Sequence, residues 1–264
     1  MIKVYSQKDK IEITKNKIKA FIKLKTIVNI PYPLKFYYNS IIPLNIYQTW
    51  HTKNVPPLMK KITNKIIMNN PKFKYFLFDD NDCRNFIKDN FSIDVLNAYD
   101  NLIPGAYKAD LWRYCILYKN GGIYLDIKYN PLNNFKFINL TEKEHWVLDM
   151  DKNGIYNALM VCLPNNPILL KAIEQIVLNT KNKFYGNNCL EPTGPQLLSK
   201  YFTQEDKNLF DCHHEVLFND YNKRIIVFNN YIIFKSYNGY LNEHGVYKKI
   251  DHYSSLWARR NIYN

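Results

Sequence analysis

The chain has 264 residues, 47% of them apolar, which is ample for a buried core and fits one large α/β domain. Its net charge of +13 points toward acidic partners such as nucleotide phosphates, a membrane surface, an anionic glycan or nucleic acid. The richness in Lys, Asn, Ile and Tyr, as an AT-rich genome would encode, offers a compositional origin for the same charge. No segment approaches the ~20 apolar residues of a membrane span, and Lys3, Lys8 and Lys10 are followed by no apolar core, so no signal peptide is expected. The five cysteines (Cys83, Cys115, Cys162, Cys189 and Cys212) are odd in number and widely spaced, which reads as reduced, mostly buried thiols in a soluble cytoplasmic protein. In that compartment the sequons at Asn90 and Asn139 carry no meaning.

Residues 1–40 form a basic N-terminal extension. Within it, Asp9 to Asn29 places Ile11, Ile18, Phe21, Ile22 and Val28 among lysines. This is a basic amphipathic helix that either packs on the following domain or makes peripheral contact with a membrane surface. Pro31 to Pro33 is a short linker. Residues 41–264 are read as one domain. Pro43 to Trp50 is a strand, Val55 to Asn69 a helix with Pro56 and Pro57 in its first turn, and Lys72 to Phe78 a second strand, closing a βαβ unit. Two short helices follow at Asp80 to Asn90 and Ser92 to Asp100. Trp146 to Met150 and Ala158 to Leu163 are strands. Asn166 to Leu178 is a helix with Pro167 at its first position, and Gly194 to Phe202 is helical. Arg224 to Phe228 and Tyr231 to Phe234 form a hairpin turning at Asn229-Asn230. His213 and His214 are adjacent and cannot share a strand face, so they suggest no metal motif. The tail from His252 to Asn264 shows no period.

The most informative stretch runs from Gly105 to Tyr129, GAYKADLWRYCILYKNGGIYLDIKY. It reads as a helix to Lys119, a stop at Gly121-Gly122, and a central strand from Ile123 to Ile127. Asp110 and Arg113 are three apart and share a helix face; taken alone they are an ordinary surface ion pair. Asp126 falls at the carboxyl end of the strand, where open α/β sheets bind ligands. Tyr124 and Lys128 share its face by the period of two.

The order and spacing of ADLWRY and GGIYLD resemble the signature of the yeast outer-chain mannosyltransferase-like glycosyltransferases, the DXD sugar-binding-motif enzymes, and of the related glucosylating toxin domains. The likeness extends to IPLNIYQTWHT from Ile42, NPKFKYFLFDD from Asn70, Thr193-Gly194-Pro195, and HYSSLW from His252 to Trp257. It implies a GT-A (Rossmann-like) fold with a mixed central sheet and flanking helices. The implied activity is a retaining transfer of a hexose from a nucleoside-diphosphate sugar, UDP- or GDP-linked, to a glycan, lipid-linked or protein acceptor. Where the family has Asp-x-Asp, this chain has Asp126-Ile127-Lys128. The second acid ligates Mn²⁺ or Mg²⁺ in the family, and a protonated lysine cannot. Metal dependence is therefore in question, and a non-catalytic sugar-nucleotide or glycan binding protein of the same fold is the alternative.

Residue by residue, the resemblance implies that Asp110 and Arg113 hold the donor sugar and that Asp126 binds the ribose and the metal's shell. Tyr124 would support the donor and Trp50 would stack on the base, although Trp50 reads equally as a core tryptophan. Lys128 is expected to replace the cation and sit against the pyrophosphate; the rival reading turns it to solvent, with a metal held by Asp126 and His252. Ser255 and Trp257 would hold phosphate from a tail acting as a lid, and Asn157 would lie beside the acceptor. A nucleic-acid partner is not expected, because no such motif occurs and it would leave Asp110, Arg113 and Asp126 without a role.

Overall fold

The computed structural model describes residues 27–217, 220, 223–247 and 250–264. Residues 9–26 of the basic amphipathic stretch lie outside them. Strand β1 (Asn45–Thr49), helix α1 (Pro57–Asn69) and strand β2 (Lys74–Phe78) form the expected βαβ unit, with β1 and β2 parallel from Asn45↔Lys74 to Thr49↔Phe78. Helix α2 (Asp80–Asn90) starts on a reciprocal capping box between Asp79 and Asp82. Helices α3 (Ile93–Asn101) and α4 (Gly105–Asn120) lead back to strand β3 (Gly122–Leu125). β3 pairs with β1 on the side away from β2, so the first sheet has the order β2-β1-β3-β6, with β6 (Leu159–Cys162) antiparallel to β3. The order of strand addition thus reverses at β1, with β2 on one side and β3, also parallel, on the other. That is the topological switch at which ligands bind beyond the carboxyl ends of the strands.

Helix α4 is buried on all sides, which is why its sequence shows no amphipathic stripe. Gly121 caps it at φ 59°, and Gly122 begins β3 at φ 111°. A Cβ on Gly122 would meet the Asn45 carbonyl oxygen at 2.9 Å, so glycine is what lets β3 lie against β1. Only Asp126, Ile127 and Lys128 separate β3 from β4 (Tyr129–Pro131), which opens a second sheet. That sheet has the order β4-β9-β8-β7-β5, from β5 (Val147–Leu148), β7 (Cys212–Val216), β8 (Arg224–Phe228) and β9 (Tyr231–Ser236). The segment singled out as the site is therefore the hinge between two sheets. This mixed α/β architecture with flanking helices is the one expected of a GT-A fold.

The β8–β9 hairpin turns at Asn229 and Asn230 as expected, both at positive φ (47° and 68°). Helix α5 (Pro167–Lys181) is capped by the Asn166 side chain and carries its buried face at Leu169, Ala172, Ile173 and Ile176. Helices α6 (Pro195–Ser199) and α7 (Gln204–Asn208) are short, and α6 covers only the middle of the expected Gly194 to Phe202 helix. The sequence did not reveal β4, whose proline sits on an edge strand. It also hid β7, whose Cys-His-His-Glu reads as polar, although His213 and His214 do face opposite sides of it. Helix α8 (Tyr240–Tyr247) has Gly245 in its interior.

The tail is corrected most. It is not irregular: Tyr253–Ala258 is helix α9, with the His252 side chain as its N-cap, and Leu256, Ile262 and Tyr263 are buried in the main core. A lid made of this segment would have to pull those side chains out of the core. Residues 27–41 run alongside the second sheet, where Val28 bridges Tyr231 and the backbone N–H groups of Ile41 and Ile42 both donate to the Thr141 carbonyl. No helix among the described residues is long and apolar enough to cross a membrane. Four of the five cysteines are buried, Cys189 is half-buried, and all are free thiols.

Candidate active site

Asp126 is the centre of the site. Its Oδ1 accepts from Arg113 at 3.1 Å and from the Tyr124 hydroxyl at 2.8 Å, and its Oδ2 accepts from the Lys128 ammonium at 2.6 Å. The strand expected from Ile123 to Ile127 ends at Leu125, and Asp126-Ile127-Lys128 is a turn closed by the Tyr129 N–H on the Asp126 carbonyl at 3.1 Å, so this turn rather than a strand period folds Lys128 back onto Asp126, beside Tyr124 from β3. Burial pushes Asp126 upward, but Lys128 and Arg113 outweigh it and hold its carboxyl below the ordinary value. Burial acts against the charge on Lys128, but Asp126 outweighs it and raises the ammonium above its usual value. Lys128 is not turned to solvent: its side chain is 12% exposed, and the ammonium lies 5.3 Å above the Tyr129 ring and 5.4 Å above the Tyr156 ring.

Asp110 and Arg113 are no surface pair, since both are buried. Arg113 stacks its guanidinium 4.3 Å from the Tyr124 ring centre and donates to the carbonyls of Ala109 and Asn157, reaching Asp110 at 3.5 Å on one side and Asp126 on the other. Asp110 accepts from the Thr193 hydroxyl at 2.8 Å and from the Asn157 amide at 2.9 Å. Burial raises its carboxyl above the ordinary value, against the pull of Arg113 and those two donors. Asn157 also donates to the Tyr114 hydroxyl. Asn157, expected beside the acceptor, and Thr193 are therefore the buried supports of Asp110. With all four groups ionised, Asp110, Arg113, Asp126 and Lys128 carry no net charge, which is how so many ionisable groups remain buried together.

A cavity of about 490 Å³ opens onto this cluster, within the range of small-molecule sites. Thr49, Trp50 and His51 line it from the end of β1, Arg113 and Tyr124 from α4 and β3, and Asp126 and Lys128 from the turn that follows β3. Asp110 and Asn157 stand behind that wall. Trp50 is both core and wall: its ring packs with Met59, Ile127 and Tyr237, and its buried indole N–H has no partner among the described residues. The tail supplies Asp251, His252 and Tyr253 to the cavity, but not Ser255 or Trp257. Ser255 is exposed, and the Trp257 indole donates to the Tyr185 carbonyl at 2.7 Å, a packing contact that leaves nothing to offer a phosphate. Sequence reading missed Lys108, Tyr240 and His244, which also line the cavity; the i, i+4 spacing of the last two on α8 was the available signal.

A divalent cation does not fit the arrangement around Asp126. Both carboxylate oxygens already accept hydrogen bonds, and an ammonium stands where the family's second acid would offer a lone pair. His252 uses Nδ1 against the Ser254 hydroxyl at 2.7 Å. Among the described residues, the group with metal-ligand spacing lies elsewhere, at His145, Asp211 and Cys212, whose ligand atoms fall within 4.8 Å of one another. There the Asp211 carboxylate is already taken up by His145 at 2.9 Å and Lys143 at 2.8 Å.

Residues 56–150 match the family described as "Glycosyltransferase sugar-binding region containing DXD motif", the resemblance expected from ADLWRY and GGIYLD. The chain is 29% identical over 231 residues to inositol phosphoceramide mannosyltransferase 2 of Schizosaccharomyces pombe, covering 84% of this chain and 63% of that protein. It is 31% identical over 162 residues to inositol phosphoceramide mannosyltransferase 3 of the same organism, covering 61% of this chain and 45% of that protein. The chain thus spans less than two thirds of the length of either relative. Among solved structures, the PaToxG glycosyltransferase superposes with a TM-score of 0.48 at 19% identity, over 72% of this chain and 77% of that one.

Proposed function

We propose that the protein is a glycosyltransferase that moves a hexose from a UDP- or GDP-sugar to an acceptor hydroxyl. Mannose and a phosphoinositol-type lipid acceptor are the reading that the relatives' names favour. The observation that carries the proposal is Asp126, gripped on both oxygens, at the switch point of the sheet and at the wall of a cavity of suitable size. Asp126 accepts from donor hydroxyls, Arg113 orients the sugar with Asp110 holding the guanidinium from behind, and the exposed edge of Trp50 meets the base.

Lys128 takes over the work of the cation in this reading. An ammonium has three N–H donors, of which Asp126 takes one. The others donate to the diphosphate as the bond between the anomeric carbon and the phosphate oxygen breaks, offsetting the charge that develops there. Transfer proceeds with retention on one face of the sugar. The acceptor hydroxyl forms the new bond to the anomeric carbon and passes its proton to the departing phosphate oxygen. With both Asp126 oxygens engaged by three donors, one of its roughly four lone-pair sites is left for a donor hydroxyl, which supports this over a carboxylate nucleophile.

Nucleotide release from a panel of UDP- and GDP-sugars, followed by NMR assignment of the product anomer, tests the proposal. Retention in a product made by the wild type and lost in Asp126→Asn supports it; an inverted product refutes the mechanism. Tight binding of a nucleotide sugar with no release across the panel would assign the same cavity to a binding protein.

A further inference from the structure

The whole net charge of +13 lies in residues 1–78, which hold fifteen lysines against Asp9 and Glu12; residues 79–264 hold twenty-one basic and twenty-one acidic residues and cancel. From Ile13 to Phe78 there is no acid at all. Compositional bias would spread lysine along the chain, and the described part of this segment, residues 27–78, holds seven of these lysines and no acid.

The structure shows what accompanies the charge. Residues 27–41 run along the outside of the second sheet and leave Leu34 63% exposed, Tyr37 75% exposed and Phe36 fully exposed, with Ile41 half exposed. Their neighbours anchor the strand from below: Tyr32 packs against Phe135, Phe228 and Tyr231, and the Tyr38 hydroxyl donates to Asn139. The loop they rest on places the Lys136 ammonium on the Asn69 carbonyl, which brings the carboxyl end of α1 alongside. There Met68 is 79% exposed, with Lys72 and Lys74 exposed just beyond the helix, while Lys60 and Lys61 are exposed about two turns back, toward the amino end of α1. Large apolar side chains held outward in a field of lysines are the chemistry of a peripheral membrane contact.

We infer that this face docks on an anionic lipid bilayer, with Leu34, Phe36 and Tyr37 entering the interface and the lysines of α1 and residues 72–74 facing the headgroups. Lys35 is not counted among them, since it pairs with Glu142. Residues 34–41, Met68, Lys72 and Lys74 lie toward the start of β1 and the cavity at its end, about one strand length (~17 Å) away, so docking through them tethers the protein without covering the cavity, with Lys60 and Lys61 flanking the face from the amino half of α1. The inference stands independently of the reaction proposed above.

The test is flotation of the full chain with phosphatidylcholine vesicles, with and without phosphatidylserine, at two salt concentrations. The wild type is expected to float with the serine-lipid vesicles and to release at high salt. Leu34→Ser/Phe36→Ser/Tyr37→Ser should lose about tenfold or more in binding, as the burial of three large apolar groups requires, with an unchanged thermal midpoint. Lys60→Gln/Lys61→Gln/Lys72→Gln/Lys74→Gln should weaken binding and flatten its salt dependence. No flotation of the wild type, or a serine variant that floats as well as the wild type, would overturn the inference. Retention on RNA without vesicle binding would assign the charge to nucleic acid and overturn it equally.

Discussion

The ammonium of Lys128 lies 2.6 Å from Oδ2 of Asp126, the oxygen that Arg113 and Tyr124 leave open. An acid that would be a metal ligand in the Asp-x-Asp pattern is here neutralised by a lysine two residues further along its own turn. Breaking one partner of such a buried pair costs about 3–5 kcal/mol, because the other charge stays buried. Lys128→Met and Asp126→Asn should each destabilise on that scale in urea melts. The double variant should lose clearly less than the sum of the two, since no lone charge remains from this pair.

The pair formed by Asp211 with His145 and Lys143 sets an acid limit on stability. Burial pushes Asp211 up, but the two partners outweigh it and depress the carboxyl to about 2. A folded value below the ordinary ~3.9 gives stability that is present above that value and is lost as the pH falls toward the folded one. Asp211→Asn should therefore be less stable than the wild type at pH 7 by on the order of 2 kcal/mol, and the gap should close toward pH 2. A constant gap across that window in thermal melts would refute this reading of the pair.

Asp110 depends on its two neutral donors. Asn157→Ala removes the one on Oδ1 and Thr193→Val the one on Oδ2. Each should cost about 1–3 kcal/mol, the price of a buried acceptor left short of a donor. Each should also lower nucleotide release through the orientation of Arg113, although neither side chain is placed against the donor. A variant that melts like the wild type would show that water replaces the lost donor.

Gly122 is a close contact point between β3 and β1. Gly122→Ala would sit at φ 111° with its Cβ 2.9 Å from the Asn45 carbonyl oxygen. Strain of this kind costs about 1–3 kcal/mol before the clash with backbone is added. Because Asp126 directly follows β3, the substitution should lower thermal stability and nucleotide release together.

Much of this was legible in the chain because the site is local. Asp110 and Arg113 share one helix face, Tyr124, Asp126 and Lys128 fall within five residues at the end of β3 and its following turn, and the two glycines between helix and strand fix the join. What was not legible depends on distant parts of the chain. Asn157 and Thr193 come to Asp110 across 47 and 83 residues, and nothing in their own neighbourhoods announces it. The tail misled for a physical reason. Helix α9 is capped by a histidine rather than by Ser, Thr, Asp or Asn, and it is only six residues long, so it showed neither a start signal nor a period. Trp257 was assigned to phosphate by resemblance, yet its N–H is spent on the Tyr185 carbonyl.

The most direct test of the central claim, that Lys128 stands in for a metal at Asp126, is nucleotide release measured in excess chelator and again with added Mn²⁺, for the wild type and for Lys128→Asp. The wild type should be indifferent to both. Lys128→Asp, which restores Asp-x-Asp, should be nearly inactive in chelator and recover with Mn²⁺. A wild type that stops in chelator and restarts with Mn²⁺ would contradict the account and return the cation to the centre of the site.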